Sequence, residues 1–259
     1  MLSTSYVPGT PNWTDLGTPD VDAATAFYKE VFGWEFQSAG PEAGGYGMFT
    51  VDGRTVAAVG PLTEAGADSA WTLYFHTDDA DATAKAVEQA GGTVRFAPLD
   101  VFTKGAMAGF TDPDGHQFAV WQPGETKGLD TVNDTNTLCW TELHTADAQR
   151  AKSFYGSVFA WEFVDMAMEG MTYSVIKPAG GDDSSGQGGV MGIPDEAAGS
   201  WRPYFEVADC DAAAAAAAAH GGTVVAAPGT LEGVGRMALL ADPFGAHFSV
   251  ITSAPAPQG

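Results

Sequence analysis

Glu142 and His144 stand one residue apart in the run Cys139-Trp140-Thr141-Glu142-Leu143-His144. In an extended strand that spacing turns both side chains to one face. A carboxylate beside an imidazole is an acid–base pair. Two later runs alternate in the same way: Arg202, Tyr204 and Glu206, then His247, Ser249 and Ile251. Glu142, His144, Glu206 and His247 form the candidate catalytic set. Arg202 would hold an anionic or carbonyl oxygen, and Trp140 and Tyr204 would stack on a planar ligand. The competing reading is a buried ionic network in which Arg202 only neutralises Glu142 or Glu206. Trp13, Asp15, Tyr74 and His76 make a thinner set nearer the start of the chain. They are candidates for ligand binding or members of a satisfied core network.

Other chemistries lack their residues. The sequence has two cysteines, Cys139 and Cys210, and no Cys-x-x-Cys pair, so neither a disulfide scaffold nor a dithiol centre is expected. It contains no glycine-rich phosphate loop, no His-Glu-x-x-His and no Gly-x-Ser-x-Gly. With 33 acidic against 11 basic side chains, the net charge of −22 repels nucleic-acid phosphates and anionic membranes. No nucleic-acid or membrane partner is expected, and small cations or neutral molecules remain. The opening Met1-Leu2-Ser3-Thr4-Ser5-Tyr6 has neither a basic start nor an apolar core, and no apolar run approaches spanning length. The expectation is a cytoplasmic protein.

The elements that must position these residues come twice. Asn12-Trp13-Thr14-Asp15-Leu16 returns as Cys139-Trp140-Thr141-Glu142-Leu143, and Phe27-Tyr28 and Trp34-Glu35-Phe36 return 127 residues later. From Trp71 and Trp201 onward the offset is 130, through Gly91-Gly92-Thr93-Val94 to the turns at Asp112-Pro113 and Asp242-Pro243. The three extra residues fall in the polar stretch Gly180 to Gly186, read as a mobile loop. The segment Gly180 to Gly189 is a lid or a plain linker. The chain is expected to divide into a first module over 1–125, a linker over 126–136, a second module over 137–254 and a flexible tail over 255–259. Each module reads as strand, helix, strands, then strand, helix, strands, predicting an α+β fold with a curved sheet. Thr18-Pro19-Asp20 supplies a helix cap, Gly33 a stop, and the eight alanines Ala212 to Ala219 a secure helix. His116 reads as exposed and idle, and Arg236 as capping a pocket mouth or pairing with a surface acid.

The strand–helix entry ending in Phe-Tyr, the Asp-Pro-x-Gly turn and the final strand resemble the glyoxalase / bleomycin resistance / dioxygenase family, the vicinal oxygen chelate superfamily. The resemblance runs from about Pro11 to Thr252 and is closest to tandem members often labelled hydroxylases. It implies two modules, each a pair of βαβββ units whose mixed sheet curls around a cleft with helices outside. Most such proteins hold a divalent metal there that chelates vicinal oxygens of the substrate; the bleomycin-binding proteins bind a drug without metal. Clefts form within a module or between modules, and the chain would be a monomer with pseudo-twofold modules or a homodimer.

The resemblance also locates the ligand positions. They fall on Trp13, Thr72, Ala119 and a residue near Ala57 in the first module, and on Trp140, Arg202, Ser249 and Val190 or Met191 in the second. Indole donates only, alanine offers nothing, and a guanidinium repels a cation. No metal and no other cofactor is therefore expected, which argues against glyoxalase and extradiol dioxygenase chemistry. Of the readings that remain, one is a structural or interaction protein with vestigial clefts, and two give the clefts a ligand. One is a metal-free protein that binds or sequesters a small aromatic or cationic metabolite or antibiotic. The other is a metal-independent isomerase, lyase, hydrolase or cyclase using the Glu and His groups of the second module.

Overall fold

The computed structural model describes residues 1–64, 66–168, 171–182, 184–194 and 199–255. Most of the expected tail lies outside the described residues, as does Asp183 in the glycine-serine stretch. The first repeat contains β1 (Pro11–Thr18), α1 (Val21–Phe32), β2 (Glu35–Ser38), β3 (Gly47–Val51) and β4 (Arg54–Pro61). It continues with β5 (Ala70–His76), α2 (Ala80–Gln89), β6 (Thr93–Val101), β7 (Gly105–Thr111) and β8 (Gln117–Pro123). The second repeat has β9 (Leu138–Thr145), α3 (Ala148–Phe159), β10 (Glu162–Met168), β11 (Met171–Lys177) and β12 (Gly188–Gly192). Its other half is β13 (Ser200–Glu206), α4 (Cys210–Ala219), β14 (Thr223–Leu231), β15 (Gly235–Ala241) and β16 (His247–Ser253). Each repeat builds a mixed eight-stranded sheet, ordered β2-β3-β4-β1-β5-β8-β7-β6 and β10-β11-β12-β9-β13-β16-β15-β14. This is the α+β tandem architecture expected from the repeat.

Local chemistry fixes the helix ends. Asp20, Asp79, Asp147 and Asp209 each accept a backbone N–H three residues on, at 2.8–3.0 Å. Gly33 closes α1 in the left-handed conformation with φ +71°. Its counterpart at offset 127 is Ala160, which holds φ +54° without glycine's freedom. The alanine helix α4 buries Cys210, Ala213, Ala214 and Ala217.

Sequence repeats and compact units do not coincide. One unit comprises Met1–Thr14, Thr72–Leu129 and Trp140–Arg202; the other comprises Asp15–Trp71, Asp130–Cys139 and the chain from Pro203 onward. In the first unit, Leu73, Phe75, Phe110, Phe118 and Val120 of repeat one share a core with Leu143, Phe154, Tyr155, Trp161 and Trp201 of repeat two. In the second, Phe27, Tyr28, Phe32 and Trp34 of repeat one pack edge and face against Phe205 and Phe248 of repeat two. The joining segment contributes to both units. Leu129 and Thr131 are buried, Leu129 N–H donates to Asn12 O, and Asp130 exchanges two hydrogen bonds with Thr55.

The two Asp-Pro-x-Gly turns are anchored inside these cores. Asp112 Oδ1 accepts the N–H of Asp114 and His116 at 2.9 Å, and its Oδ2 meets His116 Nδ1 at 2.8 Å. His116 is thus buried and bonded, not exposed and idle, because the turn folds its ring back onto the carboxylate. Asp242 likewise accepts the N–H of Phe244 and Ala246 at 2.9 Å. Arg236 pairs with the surface acid Asp211, its Nη2 2.7 Å from Oδ1.

Candidate small-molecule site

β9 buries Leu143 in the helix-facing core, so the alternate residues Trp140, Glu142 and His144 take the opposite face of the sheet. The parallel neighbour β12 sets Gly189 beside Glu142 and Met191 beside His144, and β11 sets Tyr173 beside Met191. A continuous hydrogen-bonded chain results. Trp140 Nε1 donates to Tyr173 Oη at 2.9 Å, and Tyr173 Oη donates to Glu142 Oε2 at 2.8 Å. Glu142 Oε1 lies 2.6 Å from His144 Nε2. Glu142 and His144 are only 6% and 7% exposed, so the contact between them is formed largely away from water.

Gly189 makes this arrangement possible. A Cβ there would lie 1.9 Å from Tyr173 Oη, so a larger residue would push the phenol off Glu142. With Glu142 ionised, His144 donates through Nε2, which leaves Nδ1 with the lone pair that can accept a proton. Arg202, 7% exposed, alternates on β13 with Trp201, which belongs to the helix-facing core. It therefore takes the face away from that core.

The other candidates of the second repeat are placed differently. Tyr204 is paired with Ser249, and Glu206 with Ile251. Glu206 accepts the N–H of Ser253 at 3.0 Å and its hydroxyl at 2.5 Å, at the end of the strand. His247 is exposed at the start of β16. Of the four candidate catalytic residues, Glu142 and His144 are brought into direct contact, whereas Glu206 is engaged by Ser253.

In the first repeat the acid–phenol pair recurs: Tyr46 Oη donates to Asp15 Oδ2 at 3.0 Å. Gly17 occupies the place of His144. Tyr74 and Trp121 pack together with Ala119, and Trp13, Val101 and Met107 lie against them. His76 Nε2 meets Asp78 Oδ1 at 3.1 Å. Aromatic and aliphatic side chains thus occupy much of this face.

The tyrosines were not singled out from the sequence, although Tyr46 and Tyr173 share the 127-residue offset that relates Asp15 to Glu142. Both cysteines are poor nucleophiles. Burial pushes the Cys139 thiol far up, and burial raises Cys210 to about 11, so both stay protonated near neutrality.

Near the positions that the resemblance implies, strand register pairs Ala58 with Asp15 and Met191 with His144, whereas Val190 lies in the helix-facing core. Trp13, Thr72, Ala119 and Ala58, like Trp140, Arg202, Ser249 and Met191, do not make a donor set for a divalent transition metal. Among the described residues no group of three or more His, Cys, Asp or Glu side chains converges as a metal site. Among those residues, too, no helix is long and apolar enough to cross a membrane.

Residues 10–120 match the glyoxalase/bleomycin resistance protein/dioxygenase superfamily, and residues 140–251 match a glyoxalase-like domain. CFP32 of Mycobacterium tuberculosis, which carries a glyoxylase name, is 39% identical over 258 residues, covering 96% of this chain and 97% of its own. The anthracycline biosynthesis protein DnrV of Streptomyces peucetius is 39% identical over 263 residues, covering 96% and 94%. Among solved structures, the 2,2',3-trihydroxybiphenyl 1,2-dioxygenase of Sphingomonas wittichii superposes with a TM-score of 0.64 at 15% identity, over 95% of this chain and 91% of that one. The Mn(II)-bound glyoxalase of Novosphingobium aromaticivorans gives 0.61 at 18% identity, over 97% and 87%. At those identities the likeness concerns the fold.

Proposed function

Since the chain belongs to the glyoxalase/bleomycin resistance protein/dioxygenase superfamily, we propose that it binds a small planar organic molecule, without a metal, on the inner sheet face of its second repeat. The observation that carries this reading is the hydrogen-bonded Trp140–Tyr173–Glu142–His144 chain, half-buried at its aromatic end and buried at Glu142 and His144. An indole wall beside a few fixed polar groups is the composition of small-molecule sites. The anthracycline biosynthesis names of two relatives make polycyclic aromatic compounds the first ligands to try. The charge of −22 favours neutral or cationic compounds over polyanions on approach.

The 2.6 Å contact of His144 with Glu142 favours a second reading, metal-independent acid–base catalysis. There Glu142 fixes the imidazole and Nδ1 takes a proton from the bound molecule. Titration with hydroxyanthraquinones in chelator-treated buffer, followed by tryptophan fluorescence, tests the binding reading. Saturable binding that Trp140→Ala abolishes supports it; no saturable binding across the panel overturns it. Loss of turnover in Glu142→Gln and His144→Ala with unchanged melting would establish the catalytic role.

A further inference from the structure

The two sheets end in four edge strands, β2 and β6 in the first and β10 and β14 in the second. An edge strand offers unpaired backbone N–H and C=O groups, and proteins commonly guard it with charged side chains. β2 carries Glu35, β6 carries Arg95 and Asp100, and β10 carries Glu162 and Asp165. β14 carries no charged residue at all. Val225 on this strand is 47% exposed and Leu231 38%, and Val234, just after it, is again 47% exposed.

The equivalent edge of the first repeat, 130 residues earlier, is built differently. Arg95 stands in the place of Val225, and Phe96 in the place of Ala226. Phe96 is half-buried over Gly109 of β7, where a Cβ on the glycine would run into its ring. The first repeat thus covers its own edge. In the second repeat the same two places are Ala226 and Leu239, paired across β14 and β15. The short alanine leaves Leu239 only half-buried.

Charge selects the partner. From Ala212 to Leu231 the sequence holds no Asp, Glu, Lys or Arg, whereas the equivalent residues 82–101 hold Lys85, Glu88, Arg95 and Asp100. Charge returns only at the rim, in Glu232 and in Asp211, which is paired with Arg236. Two copies of a chain at −22 repel each other over most of their surface, and a basic partner would be drawn to the acidic parts. At β14 two copies can meet without bringing carboxylates together. We propose that β14 is the surface by which two copies of this chain associate, edge to edge and antiparallel about a twofold axis. A twofold axis sets identical strands antiparallel, so each N–H and C=O of one edge meets its counterpart on the other. Pro228, which has no N–H, confines the paired stretch to Thr223–Ala227. Val225 lies within it as the extra residue of a bulge between Val224 and Ala226.

Sedimentation of the full-length protein from about 1 to 100 μM, a range of moderate protein–protein affinity, tests this. The wild-type protein should reach twice the mass of one chain at the upper end. Val225→Arg, which copies the first repeat's own residue into the second, should stay at the mass of one chain throughout, with the far-UV spectrum and melting of the wild type. Ala227→Lys should do the same, because like charges set opposite each other across paired strands repel. Ala97→Lys, at the equivalent exposed position of the first repeat, should leave the dimer intact. A wild-type protein that stays at the mass of one chain at every concentration overturns the proposal. A dimer that persists in either second-repeat variant, or that is lost in Ala97→Lys, overturns it equally by placing the interface elsewhere.

Discussion

Tyr155, on the first helix of the second repeat, donates its hydroxyl to Asp112, in the last turn of the first repeat, across 3.1 Å. Trp201 Nε1 donates to the same phenol at 2.8 Å. The reciprocal set is Trp71, Tyr28 and Asp242, with 2.9 and 3.3 Å between successive partners. Helix of one repeat and turn of the other are thus joined twice, and each compact unit takes half its core from each repeat.

Neither repeat should therefore fold alone. Fragments 1–125 and 126–259 expressed separately should show no cooperative thermal transition, because each lacks the other repeat's share of the aromatic cluster around its helices, such as Phe248 against Tyr28 and Phe118 against Tyr155. Produced together, they should co-purify and recover one. A cooperative, monomeric transition in either isolated fragment would refute the exchanged-core description.

Ala160 holds a left-handed conformation that its counterpart Gly33 adopts freely. An L-residue gives up about 1–2 kcal/mol there, and glycine's extra unfolded-state freedom returns about 0.5–1 kcal/mol. Ala160→Gly should accordingly stabilise the protein by about 0.5–1 kcal/mol in urea unfolding. A destabilised variant would show that the helix end is set by something other than φ.

Asp242 titrates against the usual direction for a native carboxylate. Burial pushes its carboxyl above the ordinary value of 3.8, outweighing the N–H and phenol bonds that hold it down. A raised folded-state pKa means that the native chain retains the proton longer, so this group's contribution declines as pH rises through the window just above 3.8. The stability of wild type relative to Asp242→Asn should fall across that window and level off above it. Exposed Asp165, held low by hydrogen bonds from Lys152 and Ser174, works oppositely and loses its contribution as pH falls. A flat difference between wild type and Asp242→Asn would remove the burial effect.

Gly189→Ala tests the geometry of the candidate site. Its methyl group would overlap Tyr173 Oη, so the phenol must leave Glu142. The variant should keep the far-UV spectrum, lose the near-UV signature of Trp140 and Tyr173, and bind 1,2-dihydroxyanthraquinone at least about tenfold more weakly. Unchanged affinity would place the ligand away from this hydrogen-bonded chain.

Repetition made the fold legible. Two copies of Asn/Cys-Trp-Thr-Asp/Glu-Leu, of Phe-Tyr and of Asp-Pro-x-Gly fixed the strands, helices and tandem plan. Strand alternation likewise placed Glu142 beside His144, since two residues of one strand share a face whatever their surroundings. Long-range pairing was not legible. Tyr173 reaches Glu142 from 31 residues away through a hairpin register that a glycine at 189 permits. His116 follows a turn and reads as solvent-facing, yet its ring folds back onto Asp112 beside Tyr155. Glu206 alternates in phase with Arg202 and Tyr204, but the strand end delivers it to Ser253.

Calorimetric titration of 1,2-dihydroxyanthraquinone into metal-stripped wild-type protein and Trp140→Ala is the most direct measurement. The proposed site requires one molecule bound per wild-type chain in the presence of chelator, and no saturable heat with the variant. Binding that demands an added divalent ion, or heat that persists unaltered once the indole is gone, would contradict it.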